Sequence, residues 1–166
     1  MPLLKDGNLI EDVWVHVDDD ADVPATGSAI VSLEHWLSQS ETLRGRNAPV
    51  GVLLKSGQSP AQLLDALNDL DLLALEFPAY TDGRSYSAAK LLRQRYGFDG
   101  EIRAVGNVLQ DQYAAMLRCG FDAFEVSGEI DPAAWARSAT AMSNVYQHAV
   151  DDVQAIWAKR HGLSAA

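Results

Sequence analysis

The sequence predicts an α/β fold: a single domain of repeated βα units around a mostly parallel sheet. Three observations predict it. Strand-length apolar runs recur at 29–33, 50–54, 72–77, 102–105 and 123–126, with starts 21, 22, 30 and 21 residues apart. Apolar residues at helical spacing fill the intervals. The later runs are continuously apolar, as strands are when helices cover both faces of a sheet. Strand and helix alternating at this interval is the pattern of parallel sheets. An open, doubly wound sheet is the first expectation. An incomplete TIM-like barrel is the alternative, since a barrel closes with eight units and this chain holds about five plus an N-terminal strand.

Asp12–Val17 reads as the first strand, and an acidic loop follows over residues 18–28, with Asp18, Asp19, Asp20 and Asp22. After the second strand, Leu33, Trp36 and Leu37 fall at helical spacing. Ser59 can cap a helix that carries Pro60 in its first turn, followed by Leu63, Leu64 and Leu67. Ala88, Leu91, Leu92 and Arg95 continue the pattern after the fourth strand. Tyr113, Met116 and Leu117 follow the fifth, and Gly120 stops that helix. Asp131 and Pro132 open the last helix. Over 138–161, Met142, Tyr146, Ala149, Val153 and Ile156 recur at heptad-like steps widened by Trp157, which predicts one long helix. At ~1.5 Å per residue it outruns a strand. Its C-terminal turns are therefore expected to meet a second copy, giving a homodimer, or a partner enzyme. A break near His148 and a return onto Trp14 is the other possibility.

The 166 residues suit one domain with a real core, and 48% apolar content excludes a disordered chain. No apolar run approaches the ~20 residues that cross a bilayer. The start of the chain lacks the basic and long apolar blocks of a secretory signal, so the cytoplasm is the expected compartment. One cysteine, Cys119, permits neither an internal disulfide nor a zinc ribbon or iron–sulfur cluster, and its position before Gly120 suits packing. Thirteen Lys and Arg stand against 23 Asp and Glu, a net charge of -10 that repels nucleic acid. Yet Arg84, Lys90, Arg93, Arg95, Arg103 and Arg118 crowd between residues 84 and 118. That concentration can hold a small anion, or it is a solvated helix face.

Two stretches are distinctive: Leu75-Glu76-Phe77-Pro78-Ala79-Tyr80-Thr81-Asp82-Gly83-Arg84-Ser85-Tyr86-Ser87, and Gly100-Glu101-Ile102-Arg103-Ala104-Val105-Gly106-Asn107-Val108-Leu109-Gln110-Asp111-Gln112 with Cys119-Gly120-Phe121-Asp122 beyond it. Over roughly residues 72–126 the chain resembles the bacterial family called domain of unknown function 934. Members carry the label of an oxidoreductase in sulfite reduction and are encoded beside assimilatory sulfate-reduction genes. The resemblance implies a pathway neighbourhood and supplies no catalytic residues.

In a parallel sheet, ligands bind beyond the carboxyl ends of the strands. That rule selects the loops 77–87, 106–111 and 127–131. In the first, Gly83 suits a tight turn, and the helix start with Arg84, Ser85 and Ser87 can hold sulfate, phosphate or a carboxylate. Asp82 can instead cap the helix and take the anion's place, leaving Arg84 paired. In the second, Asn107 and Gln112 can bond a ligand, while Asp111 pairs with Arg84 or Arg103 or simply caps the next helix. Glu76 and Glu125 lie inside apolar runs, where a carboxylate must be paired or neutral, and Glu76 with Arg103 is the expected pair. No Gly-x-Gly-x-x-Gly or phosphate-loop motif occurs. His16, His35, His148 and His161 are scattered, so neither a cofactor nor a metal is expected. Three functions remain. The chain is an accessory protein of sulfite reduction that binds a sulfur oxyanion or partner reductase. Alternatively it is a small enzyme using Glu76, Arg84 and Asp111, or a ligand-free scaffold.

Overall fold

The computed structural model describes residues 2–151 and 153–162. The chain runs through β1 (Leu3–Lys5), β2 (Asn8–Ile10), β3 (Trp14–His16), β4 (Ser28–Ser32), α1 (Leu33–Arg44) and β5 (Val50–Leu54). A 3-10 helix, Pro60–Asp69, precedes β6 (Leu72–Phe77), α2 (Arg84–Gln94) and β7 (Glu101–Gly106). A 3-10 turn, Gln110–Gln112, leads into α3 (Tyr113–Arg118), β8 (Ala123–Glu125), α4 (Pro132–Thr140) and α5 (Ile156–Arg160). The eight strands form one sheet in the order β2-β1-β8-β7-β6-β5-β4-β3. From β3 to β8 every neighbouring pair is parallel.

Spatial order follows chain order from β3 to β8, with no reversal. A doubly wound sheet requires a reversal, so that first expectation gives way to the incomplete barrel. Parallel crossovers are right-handed. Without a reversal, successive connections fall on one face and the sheet curls away from them. Side chains of Val52, Leu54, Leu73, Leu75, Ile102 and Phe124 meet Trp36, Leu63, Leu92 and Met116 from the helices in the main core. The alternate residues Ile30, Leu72, Ala74 and Val105 form a smaller cluster on the concave face, with Trp14 and Leu53 against it.

Local chemistry explains the element ends. Ser32 accepts from His35 N–H at 3.0 Å, opening α1, and Ser59 accepts from Ala61 N–H at 3.3 Å beside Pro60. Asp131 accepts from Ala133 N–H at 2.9 Å beside Pro132. The β1–β2 hairpin lies outside the sequence reading. Its two-residue turn is Asp6-Gly7 with φ 51 and 74, the positive pair a tight hairpin of this kind needs.

The long helix expected over 138–161 does not form. α4 ends at Thr140 and only the short α5 follows; Asp152, within that stretch, lies outside the described residues. Ser138 Oγ bonds back to Ala134 O at 3.1 Å, and Thr140 Oγ1 to Ala136 O and Arg137 O, competing with continuation of the helix. Tertiary bonds then replace helical ones. Val150 N–H donates to Arg118 O at 3.0 Å, and the Arg118 guanidinium binds Gln147 O and Asp151 at 2.6 and 3.0 Å. The fold-back therefore lands on α3 rather than on Trp14. Met142 and Tyr146, expected in the stripe, are exposed, while Val145, Ala155 and Ala158 are buried.

Candidate functional site

The carboxyl ends of β5 and β6 open into a recess of about 340 Å³ between the 3-10 helix and α2. Leu54, Pro60, Leu75, Ala88 and Leu91 form apolar walls; Lys55, Gly57, Gln58, Arg84, Ser85 and Ser87 supply the polar lining. Three residues singled out in the sequence, Arg84, Ser85 and Ser87, thus share one recess. Ser85 is buried, and its hydroxyl donates to Glu76 O at 2.6 Å, fixing the start of α2 to the end of β6.

Asp82 takes the place at the helix start that an anion would use. It accepts from Arg84 N–H at 3.1 Å, from Arg84 Nη2 at 2.6 Å and from Ser56 Oγ at 2.7 Å. Those bonds, the Arg84 side chain first, hold its carboxyl far below the usual carboxylate range. Arg84 Nε and Nη2 are both engaged by Asp82. Nη1 is not, and it lies over Gly57, where an added Cβ would sit 2.7 Å from it. Gly57 has φ +92, so the bare backbone both makes the turn and admits the guanidinium. Gly83 needs no such freedom, since its φ is -94. The Lys55 ammonium has no carboxylate partner among the described residues.

The other candidates lie elsewhere. Asn107 and Asp111 are exposed outside the recess, and Asp111 caps no helix and pairs with neither Arg84 nor Arg103. Gln112 Nε2 donates to Tyr80 O at 2.8 Å, tying two rim loops together. The expected Glu76–Arg103 pair is absent. Register explains why: Glu76 lies opposite Val105, two residues nearer the carboxyl end than Arg103, and it accepts from Ser56 N–H at 3.3 Å.

Arg103 instead lies fully buried on the concave face. Its Nη1 meets Asp12 at 2.8 Å and Glu125 at 3.1 Å, and its Nε meets Glu101 at 2.9 Å. Lys5 binds Glu101 at 2.7 Å, and His16 Nε2 binds Glu125 at 2.8 Å. A column of charge therefore crosses the concave face from Lys5 and Glu101 to Glu125 and His16. Burial pushes the Glu125 carboxyl up, but hydrogen bonds and charge from His16 and Arg103 outweigh it and hold the group below its ordinary value. Burial works against the charge on Arg103 too, and the surrounding carboxylates of Glu101 and Asp12 reverse that effect.

Sequence reasoning missed Lys5, Asp12, His16, Lys55 and Glu101. The signal for three of them was the period of two in strands: Lys5, His16 and Glu101 share the face of Ile30, Arg103, Ala123 and Glu125. Cys119 is buried, which pushes its thiol up and keeps it protonated. Among the described residues no three His, Cys, Asp or Glu side chains are placed to hold a metal ion, and no helix is long and apolar enough to cross a membrane.

The family described as bacterial protein of unknown function (DUF934) matches residues 51–157. That span holds Lys55, Arg84, Arg103 and Glu125, while Asp12 and His16 precede it. The description names no reaction. No curated protein matches the sequence.

Proposed function

Because the chain belongs to this bacterial family of unknown function, we propose its role from the chemistry of the recess: an accessory protein of sulfite reduction that holds a small anion at Lys55 and Arg84. The observation that carries the reading is that these two cations, one unpaired and one with Nη1 free, line one recess at the strand ends of a chain with net charge -10. Elsewhere on such a surface a small anion is repelled. A carboxylate, sulfite or sulfate would approach Arg84 on the side away from Asp82 and take its second contact from Lys55. The link to sulfite reduction rests on the family resemblance over residues 72–126. The apolar walls extend past the rim, so a short organic acid would bury its body there while its charge sits at the same two cations.

Thermal melting at fixed ionic strength, with sulfite, sulfate, butyrate and chloride compared, tests the reading. A ligand bound only by the folded chain stabilises it by ~1.4 kcal/mol at ten times its Kd. Sulfite or sulfate is expected to raise Tm, with the increase lost in both Arg84→Ala and Lys55→Ala. Butyrate stabilising where sulfite does not would assign the recess to organic acids. An unchanged Tm with every anion, or equal increases in the variants, would sink the site.

A further inference from the structure

The concave face carries a second arrangement that the outer recess does not use. Glu125 is 5% exposed at its side chain, and its Oε1 accepts from Arg103 Nη1 as well as meeting His16 Nε2. Arg103 is shared with Asp12 and Glu101, so His16 is the second group that holds the charge on Glu125. The same contact fixes the orientation of the imidazole. A carboxylate only accepts, so Nε2 of a neutral His16 carries the proton and Nδ1 carries the lone pair.

The ring is 42% exposed at its side chain and walls a second recess, about 200 Å³, at the carboxyl ends of β3, β4 and β5. Asp18, Asp19, Ile30, Leu53 and Lys55 line it too. This is the end of the strands where barrels of βα units place their chemistry. We propose that the mouth of the half-barrel is a proton-transfer site: His16 is its base, Glu125 the positioning residue, and Lys55 the group that holds a small, singly anionic substrate.

In the step, Nδ1 takes the proton of an O–H, S–H or activated C–H bond. The bonding electrons stay on the substrate beside the Lys55 ammonium, and the imidazolium keeps its contact with Glu125, with Asp18 and Asp19 lining the same recess. The proton returns to product or to water, so no oxidant or reductant is required. The two aspartates also set the substrate class, because they repel a second negative charge.

A chromogenic ester tests the chemistry without the natural substrate. With 4-nitrophenyl acetate, His16 would take a proton from the attacking water as 4-nitrophenolate leaves. A positioned base contributes about 10²–10⁴-fold. His16→Gln, which keeps a donor toward Glu125, is therefore expected to lower the rate at least about tenfold, while His148→Gln leaves it unchanged. The charged ester mono-4-nitrophenyl succinate should lose more in Lys55→Met than the neutral acetate does. Nitrogen-15 spectra of the wild-type chain should place the neutral His16 proton on Nε2, and Glu125→Gln should mix the tautomers. Wild-type rates in His16→Gln, or a neutral His16 protonated at Nδ1, would overturn the proposal even if Glu125→Gln fails to fold. Lys55 lines both recesses, so the His16 variant is the one that separates them: His16→Gln is expected to lower the esterase rate while leaving the anion-induced rise in Tm intact.

Discussion

His16 and Glu125 meet at 2.8 Å although four strands separate β3 from β8 in the sheet. In a flat sheet the five intervening steps of ~4.8 Å would hold those strands ~24 Å apart. The contact therefore measures the curl directly. Arg103 and Asp12 repeat it at 2.8 Å, from β7 to the segment before β3. Side chains, not backbone ladders, close the concave face.

Removing Arg103 takes the cation from Asp12 and leaves Glu101 and Glu125 only their contacts with Lys5 and His16, around a fully buried position. Arg103→Met is expected to cost about 3–5 kcal/mol, the scale for breaking a buried ion pair on one side. Asp12→Asn, which leaves two carboxylates on the guanidinium, should cost clearly less. Urea denaturation of the two variants gives the comparison, and equal losses would refute the central role of Arg103.

Acid should weaken the fold through Glu125. Its carboxyl titrates lower in the folded chain than in the unfolded one, because His16 and Arg103 outweigh burial. As pH falls, the unfolded chain binds this proton first. The stabilisation is whole above the unfolded value, about 4.3, and is lost as pH drops through the lower folded value. Unfolding free energies of wild type and Glu125→Gln, measured across that window, should fall more steeply for wild type. Parallel curves would count against the coupling.

Two glycines near the rim should respond oppositely to alanine. Gly106 has φ +90, and an added Cβ would lie 2.5 Å from Phe77 O. Backbone strain alone at such a position is worth about 1–3 kcal/mol, and the clash adds to it. Gly83, with ordinary φ and its nearest added contact at 3.7 Å, should accept alanine with little change. Melting temperatures of the two variants decide it; a tolerated Gly106→Ala would contradict the close approach of β7 to Phe77.

Arg118 should govern the segment between α4 and α5. Its side chain binds Gln147 O and Asp151, and its carbonyl receives Val150 N–H. Arg118→Ala is expected to speed hydrogen exchange at Val150 and protease cleavage within 141–151, with the β6 and β7 amides unaffected. Uniform acceleration across the chain would point instead to global destabilisation.

The five central strands were legible because each is an apolar run bounded by turn residues, and β6 and β7 are found within a residue of their expected ends. The Asp6-Gly7 hairpin was not read from the sequence: its strands hold only three residues each, with Leu9 and Ile10 exposed, so periodicity gave it no support. The 138–161 stripe misled because helical spacing says nothing of what Arg118 offers from elsewhere. Arg84, Ser85 and Ser87 were found together since one loop and one helix turn carry them. Arg103, Asp12, His16 and Glu125 were not, because their contacts span 91 and 109 positions and depend on a curl that no local pattern encodes.

The agreement of spatial with chain order also has a consequence in time. Each strand from β4 onward can join a neighbour already made, closing only a short loop as it does so. The pairs Arg103–Asp12 and His16–Glu125 are different, since they enclose most of the domain. The first cannot form until β7 is laid down, and the second waits for β8, the last parallel strand. The growing sheet is thus assembled by nearest neighbours, and its charged seam shuts afterwards. Substitutions along that seam should speed unfolding far more than they slow folding.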